Sequence, residues 1–362
     1  CITGKTSETY IKDLKHIHSE ICSAIQSELA GFNAGAVMVR LEEKFDELEK
    51  LLNAVHSFRE CTDTAHCRIM GMGELLCIPI VEEVLLAKQQ SVVVIDSRKY
   101  IVTTGNQKEG DPDYSKTSDN LRQYRDGESN SQTRILLFPG FICSWVGGTA
   151  TEPIPGLLGR NGSDFSAAIV GSCLGSKRIQ FWTDVDGIYT ADPRVVKDAI
   201  LVDDMTYEEA MELAFFGSKV LHPKTLAPLA AKGIEAWSLN SMDTSVRGTR
   251  IGSGPFESSK DFGPVRGISC LKNTSMISVS GTGMKGRTGT ASRIFEAVSR
   301  AKISILLITQ DSSEYTISFC VRDEDSDKAK DAITNEFDLE IRDGLINPVE
   351  VLKDCAIVSI VG

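Results

Sequence analysis

Two strand-like runs, Arg134 to Ile142 and Arg178 to Thr183, bracket a helix-like run from Ser163 to Gly175. That alternation constrains the fold more than any other feature, because strand, crossover helix and strand belong to an α/β domain on a mainly parallel sheet. Ser91-Val92-Val93-Val94-Ile95-Asp96 has the unbroken apolar run of a strand buried in such a sheet. Upstream, Ile11, Leu14, Ile17, Ile21, Ile25 and Leu29 recur at three- and four-residue steps. Leu41, Phe45, Leu48, Leu51 and Leu52 repeat the theme after a break between Gly31 and Gly35. The spacing predicts two amphipathic helices between Ser7 and about Ala54. A third, apolar helix is expected over Gly73 to Ala87, a further one over Tyr207 to Phe215, and a strand near Ala236 to Leu239. Lys108 to Ser131 has no apolar period and reads as a polar surface excursion with room for a short helix.

Composition changes at Gly252-Ser253-Gly254-Pro255 and the polar stretch Ser258 to Gly263, which mark a linker. Beyond it, Met276 to Ser280, Ser304 to Thr309 and Tyr315 to Val321 read as strands, with helices over Thr288 to Ser299 and Asp325 to Phe337. Two domains are expected, over residues 1–252 and 253–362, in line with the usual ~100–200 residues each. The phrase Ser275 to Gly281 is echoed by the last seven residues, Ala356 to Gly362, as a weak internal repeat. No strand partner is visible beyond that last run and no Met opens the chain, so a fragment is expected.

A formal net charge of -11 argues against a nucleic-acid groove or an anionic membrane as the main partner, since both need clustered positive charge. No apolar stretch approaches the ~18–20 residues of a membrane span, and cytoplasm is the default compartment. The ten cysteines form no Cys-x-x-Cys pair and only five histidines accompany them, so reduced thiols are expected, with no metal cage.

The most informative motif is Gly159-Arg160-Asn161-Gly162-Ser163-Asp164, which runs directly into the helical Phe165 to Val170. Glycines before a helix let backbone amides approach an anion, Ser163 can cap the helix, Arg160 offers a planar fork, and Asp164 can organise a lysine or Mg²⁺. An ordinary capped glycine turn accounts for the same spacing. Next comes Trp182-Thr183-Asp184-Val185-Asp186-Gly187-Ile188-Tyr189-Thr190-Ala191-Asp192-Pro193-Arg194, placed at a strand's carboxyl end, where open α/β sheets bind ligands. Its three aspartates can hold Mg²⁺, Tyr189 can cover a base and Arg194 can reach phosphate, although Asp-Gly and Asp-Pro are also plain turn signals. In Phe216-Gly217-Ser218-Lys219-Val220-Leu221-His222-Pro223, Lys219 can reach a nucleotide or simply be solvated. Glu74, in Gly71-Met72-Gly73-Glu74, can bind an ammonium or start a helix. Val146-Gly147-Gly148-Thr149 imitates part of a phosphate loop but precedes no helix, and reads as a connection.

Taken in order, these motifs resemble the aspartate kinases of the amino-acid kinase superfamily. Past the linker, Ser278-Val279-Ser280-Gly281-Thr282-Gly283-Met284-Lys285-Gly286 and Leu306 to Phe319 are similar to the first ACT repeat of bifunctional aspartokinase/homoserine dehydrogenases. The resemblance implies a three-layer α/β/α sandwich followed by an α+β, ferredoxin-like ACT region. It implies transfer of the ATP γ-phosphate, with Mg²⁺, to the side-chain carboxylate of L-aspartate. Arg160 would hold the substrate carboxylate, Glu74 its ammonium, Ser163 would be a further substrate-binding residue, and Asp164 would arrange the transfer. Thr183, Asp184, Tyr189, Arg194 and Lys219 would contact ATP. Gln310 matches a glutamine at the ACT effector site, where the bifunctional enzymes usually take threonine. A homo-oligomer through ACT strands is also implied, as is a plastid location if the source is a plant.

The sequence departs from that pattern at several points. The family's opening Lys-Phe-Gly-Gly-Thr-Ser loop is absent, Met72 stands where many relatives have arginine, and Cys77 where serine is common. Truncation is the simplest account of the missing loop, and a chain lacking its lysine is expected to be catalytically impaired. The competing reading is a catalytically inactive amino-acid sensor. No dinucleotide fingerprint is present, so homoserine dehydrogenase activity is expected only of a longer parent.

Overall fold

The computed structural model describes residues 7–127, 134–147, 152–215, 221–254, 256, 265–310 and 315–362. Two compact units emerge. The first takes in the described residues of Cys1–Gly187, Asp203–Tyr207 and Val220–Glu257, and the second those of Ile188–Val202, Glu208–Lys219 and Ser258–Gly362.

The first unit opens with three helices, α1 (Ser7–Glu28), α2 (Ala34–Phe58) and α3 (Asp63–Ala87). Ile11, Leu41, Phe45, Leu48, Met72, Leu76 and Ile80 bury one shared core, the apolar stripes that the periodicity predicts. α3 starts at Asp63 rather than Gly73, because the Thr62 hydroxyl accepts the Ala65 amide at 3.2 Å and sets the helix end there. Met72 is part of this core, so the position where relatives carry arginine faces apolar neighbours here.

Next come β1 (Val92–Val94), α4 (Ser97–Tyr100), β2 (Val102–Asn106), β3 (Glu109–Pro112), α5 (Tyr114–Gly127), β4 (Ile135–Leu137), β5 (Ile142–Trp145), β6 (Ile154–Leu157), α6 (Gly162–Leu174) and β7 (Arg178–Thr183). They are followed by β8 (Asp204–Thr206), α7 (Tyr207–Phe215), which belongs to the second unit from Glu208 on, and then α8 (Pro223–Ala230), β9 (Glu235–Asn240) and β10 (Thr249–Gly252) of the first. Parallel pairs join β1 to β4, β2 to β5, β7 to β9 and β8 to β10. Antiparallel pairs join β2 to β3, β5 to β6 and β9 to β10, so the sheets are mixed. Phe165, Ile169 and Cys173 on α6 recur at four-residue steps and bury against Ile101, Leu121, Cys143 and Leu158.

Three expectations are corrected. β1 is only half buried, with Val94 37% exposed, because among the described residues its one partner is the three-residue β4. The run from Arg134 to Ile142 is broken into β4 and β5 by Pro139, Gly140 and Phe141, the last at φ 65, outside the strand region. The polar excursion holds β3 and the long helix α5, which anchors through Leu121 and through Thr117, whose hydroxyl accepts the Val102 amide at 3.1 Å.

The second unit contains β11 (Gly267–Ser280), α9 (Thr290–Arg300), β12 (Leu307–Gln310), β13 (Thr316–Arg322), α10 (Ser326–Glu336), α11 (Asp338–Arg342) and β14 (Glu350–Val361). Its antiparallel sheet runs β12-β13-β11-β14, the order of a ferredoxin-like βαββαβ unit. Ile277, Val279, Phe319 and Val321 pack beneath Ile294, Val298, Ala329 and Ile333 from the two helices. The closing run Ala356 to Gly362, with no strand partner visible beyond it in the sequence, falls largely in β14. That strand pairs with β11 from Ser278↔Glu350 to Gly267↔Val361, which supplies a partner within the same unit.

Candidate functional site

The candidate site is built at the start of α6. Gly159 adopts φ +76, where a side chain would be strained, and a Cβ there would stand 2.7 Å from Glu109 Cγ. A Cβ on Gly162 would stand 2.5 Å from the Phe141 ring, so this glycine lets the helix start pack closely. Ser163 is not the cap. Asn161 takes that position in the left-handed region, φ 56, without a side-chain cap bond, a conformation asparagine tolerates better than most residues. The freed Ser163 hydroxyl instead donates to Glu74 Oε1 at 3.0 Å, across 89 positions of sequence. Two of the motifs singled out in the sequence therefore meet.

Asp164 lies in the first turn of α6, half buried. Burial pushes its carboxyl above the usual range, against a smaller opposing effect from a hydrogen bond with Asn161. Arg160 is exposed and makes no ion pair among the described residues, which leaves its guanidinium available to an anion. His222 caps α8, its Nδ1 accepting the Lys224 amide at 3.2 Å, so that nitrogen is unprotonated in this arrangement. Burial lowers the imidazole's pKa first, then Lys224 and Arg160, while Glu109 opposes them.

At the end of β7, the Thr183 hydroxyl donates to Asp184 at 3.1 Å. Asp186 accepts the side-chain amide of Asn240 at 2.6 Å. Tyr189 and Arg194 belong to the second unit. There Tyr189 bridges Leu201, and Arg194 grips Asp192 with a two-pronged pair at 3.0 and 2.9 Å. Of the three loop aspartates, Asp186 is thus held by Asn240 in the first unit and Asp192 by Arg194 in the second. No group of three or more metal-ligating side chains forms among the described residues. Lys219 lies outside the described residues, as do Gly148 and Thr149 of the rejected phosphate loop. Gln310 ends the exposed β12 opposite Ile317. Nearby on the same sheet, the Ser278 and Ser318 hydroxyls share a hydrogen bond at 2.9 Å.

Phe141, Glu109 and His222 also surround this turn and escaped the sequence reading. His-Pro ahead of a helix was a readable cap signal for His222. A left-handed phenylalanine has no sequence signature.

The amino acid kinase family profile matches residues 17–240, and an ACT domain profile matches residues 277–337. The chain belongs to the amino acid kinase family. This amino acid kinase is 35% identical over 359 residues to a bifunctional aspartokinase/homoserine dehydrogenase of Haemophilus influenzae, covering 99% of the chain and 43% of the relative. It is 29% identical over 322 residues to the lysine-sensitive aspartokinase 3 of Escherichia coli, covering 88% of the chain and 69% of the relative. The chain thus spans less than half of the bifunctional relative, 43%. Among solved structures, E. coli aspartokinase III in complex with aspartate and ADP superposes at a TM-score of 0.78 with 24% identity, over 99% of this chain and 76% of that one. The fold expected from the resemblance, an amino acid kinase domain followed by an ACT domain, is what these likenesses show. No described helix is long and apolar enough to cross a membrane.

Proposed function

We propose that this amino acid kinase is the kinase and regulatory part of an aspartate kinase, making 4-phospho-L-aspartate and ADP from L-aspartate and ATP, as the first step of an amino-acid biosynthetic route. The observation that carries the reading is the 3.0 Å contact between Glu74 and Ser163, which adds an ammonium-binding carboxylate to the anion-binding turn of Arg160. Relatives lend it weight: E. coli aspartokinase III has been solved with aspartate and ADP, and with lysine and aspartate.

The chemistry asks for cations and positioning more than for a base. A side-chain carboxylate with an ordinary pKa of ~3.9 is already ionised at neutral pH. Its oxygen forms the new bond to the γ-phosphorus while the bond to the ADP oxygen breaks, and no proton moves. The barrier is the approach of two anions, which aligned cationic donors reduce. In this reading Arg160 holds the substrate carboxylate, Glu74, positioned by the Ser163 hydroxyl, holds its ammonium, and Asp164 arranges the transfer site. Thr183, Asp184, Tyr189, Arg194 and Lys219 contact ATP. Mg²⁺ would neutralise phosphate charge, held by the nucleotide with single carboxylates such as Asp184. The ACT region from residue 253 senses an end product, threonine in the first instance, with Gln310 among its contacts, and supports homo-oligomers. The parent protein adds homoserine dehydrogenase and works in cytoplasm or, in a plant, plastid.

Calorimetric titration of L-aspartate in the presence of MgADP tests the site, with trapping of the acyl phosphate as hydroxamate testing the transfer. Arg160→Ala should weaken aspartate by roughly 10- to 100-fold, the size of a lost charged hydrogen bond. Aspartate binding without transfer supports the sensor instead, and no aspartate binding removes the reading. Threonine, lysine and methionine titrations identify the effector, and Gln310→Ala should weaken the one that binds.

A further inference from the structure

The hairpin that carries Glu109 is pinned on both sides. The Gln107 side-chain amide donates to Thr64 Oγ1 at 3.1 Å and to the Pro155 carbonyl at 2.7 Å, and the Gln107 carbonyl accepts the Leu157 amide at 2.9 Å. Glu109 follows two residues later and opens β3. Its Cβ, Cγ and Cδ fill the space left by the missing side chain of Gly159, at 3.2, 2.7 and 3.3 Å from where that Cβ would stand. The exposed Glu109 side chain thus lies against the backbone that immediately precedes Arg160.

Neither Glu109 nor Arg160 makes an ion pair among the described residues. Both act with opposite sign on the half-buried His222, which places the three groups in one electrostatic neighbourhood. Two opposite charges held apart on adjoining rigid segments, each without a protein partner, complement a ligand carrying both an anionic and a cationic group. The Ser163 hydroxyl occupies one acceptor site of Glu74 and leaves the others open, and Glu109 adds a second carboxylate that accepts no side-chain hydrogen bond among the described residues.

We propose that Glu109 is a further substrate-binding residue, the carboxylate that with Arg160 selects a zwitterionic amino acid over a plain dicarboxylate. The inference rests on the aspartate kinase reading and adds a determinant of specificity to it.

The test compares L-aspartate with succinate, which lacks only the ammonium group, by calorimetry on the whole chain with MgADP. Wild type should prefer aspartate. Glu109→Gln should weaken aspartate roughly tenfold or more, the scale of one charge-assisted hydrogen bond, and leave succinate unchanged or tighter. Glu109→Asp should restore part of the preference, and an unchanged urea midpoint shows that each variant folds. Equal weakening of both ligands, or none of either, overturns the assignment while leaving the kinase reading intact. A wild-type chain that binds no aspartate overturns both.

Discussion

Gly281 lies at the end of β11, where a Cβ would stand 2.3 Å from the Leu345 carbonyl oxygen and 2.6 Å from Ile346 Cα. Both obstacles are backbone, so Gly281→Ala must push the segment of residues 345–347 away by about 1 Å before ordinary contact is reached. That segment is held by Gly283 N–H to Leu345 O at 2.9 Å, Asn347 N–H to Ser280 O at 2.7 Å and Leu345 N–H to Glu340 O at 2.9 Å, with Ile346 4% exposed in the core. Losing the first two bonds costs about 1–3 kcal/mol at ~0.5–1.5 each. Overpacking adds about 1–3 kcal/mol, for a total of about 2–6 kcal/mol. Urea unfolding of the second unit should show a midpoint about 1–3 M lower, taking a slope of ~2 kcal/mol per M. Amide exchange should speed up at Gly283 and Asn347. A loss below about 0.5 kcal/mol with unchanged exchange would refute the claim that this glycine is required for close backbone approach.

Three further perturbations probe the kinase unit. Gly159→Ala should cost about 1–2 kcal/mol from its left-handed φ of +76 and also dislodge Glu109, so thermal stability and aspartate affinity should fall together. Asp164 has a raised folded-state pKa, so its contribution to stability is present below the unfolded value of ~3.9 and is lost as pH rises through the folded value. Asp164→Asn should therefore stabilise the protein at pH 7, by a margin that shrinks toward pH ~4, while abolishing transfer; a destabilised variant at pH 7 contradicts the burial argument. His222 has a lowered folded-state pKa, so its contribution is present above ~6.5 and lost as pH falls through the folded value. Asparagine caps helices well and does not titrate, so His222→Asn should flatten that acid-side loss in melts at pH 5 and pH 7.

What was legible in the sequence was whatever periodicity or a breaker marks. β7 and α7 lie where the runs Arg178 to Thr183 and Tyr207 to Phe215 predict, and Gly175 closes α6 in the left-handed region. α5 was not legible because its 14 residues are nearly all polar and it holds to the fold by few side chains. The glycine turn was located correctly, yet its cap was assigned to Ser163 because serine caps helices often. The decisive fact, a hydroxyl drawn away by Glu74, lies 89 positions off and is set by tertiary packing alone. Phe141 and Glu109 were missed for the same reason, since each owes its place to a neighbour distant in sequence.

The backbone around that turn concentrates strain. Phe141 at φ 65, Gly159 at φ 76 and Asn161 at φ 56 all lie in the left-handed region, the last two directly before α6 and the first with its ring against Gly162 at that helix start. A non-glycine residue there costs about 1–2 kcal/mol, and such conformations persist only where surrounding bonds over-determine them. They do so here: the Phe141 amide donates to Ser166 Oγ at 2.9 Å, its carbonyl accepts the Leu158 amide at 2.9 Å, and the Ser166 hydroxyl donates to the Gly162 carbonyl at 2.8 Å. If rigidity at this turn orients Arg160 and Asp164, then Ser166→Ala should impair more than stability. It leaves the Phe141 amide without its partner, relaxes the turn, and should lower affinity for L-aspartate with no change in any group that touches it. An unchanged aspartate affinity in a Ser166→Ala protein of reduced stability would show that the strain serves packing alone.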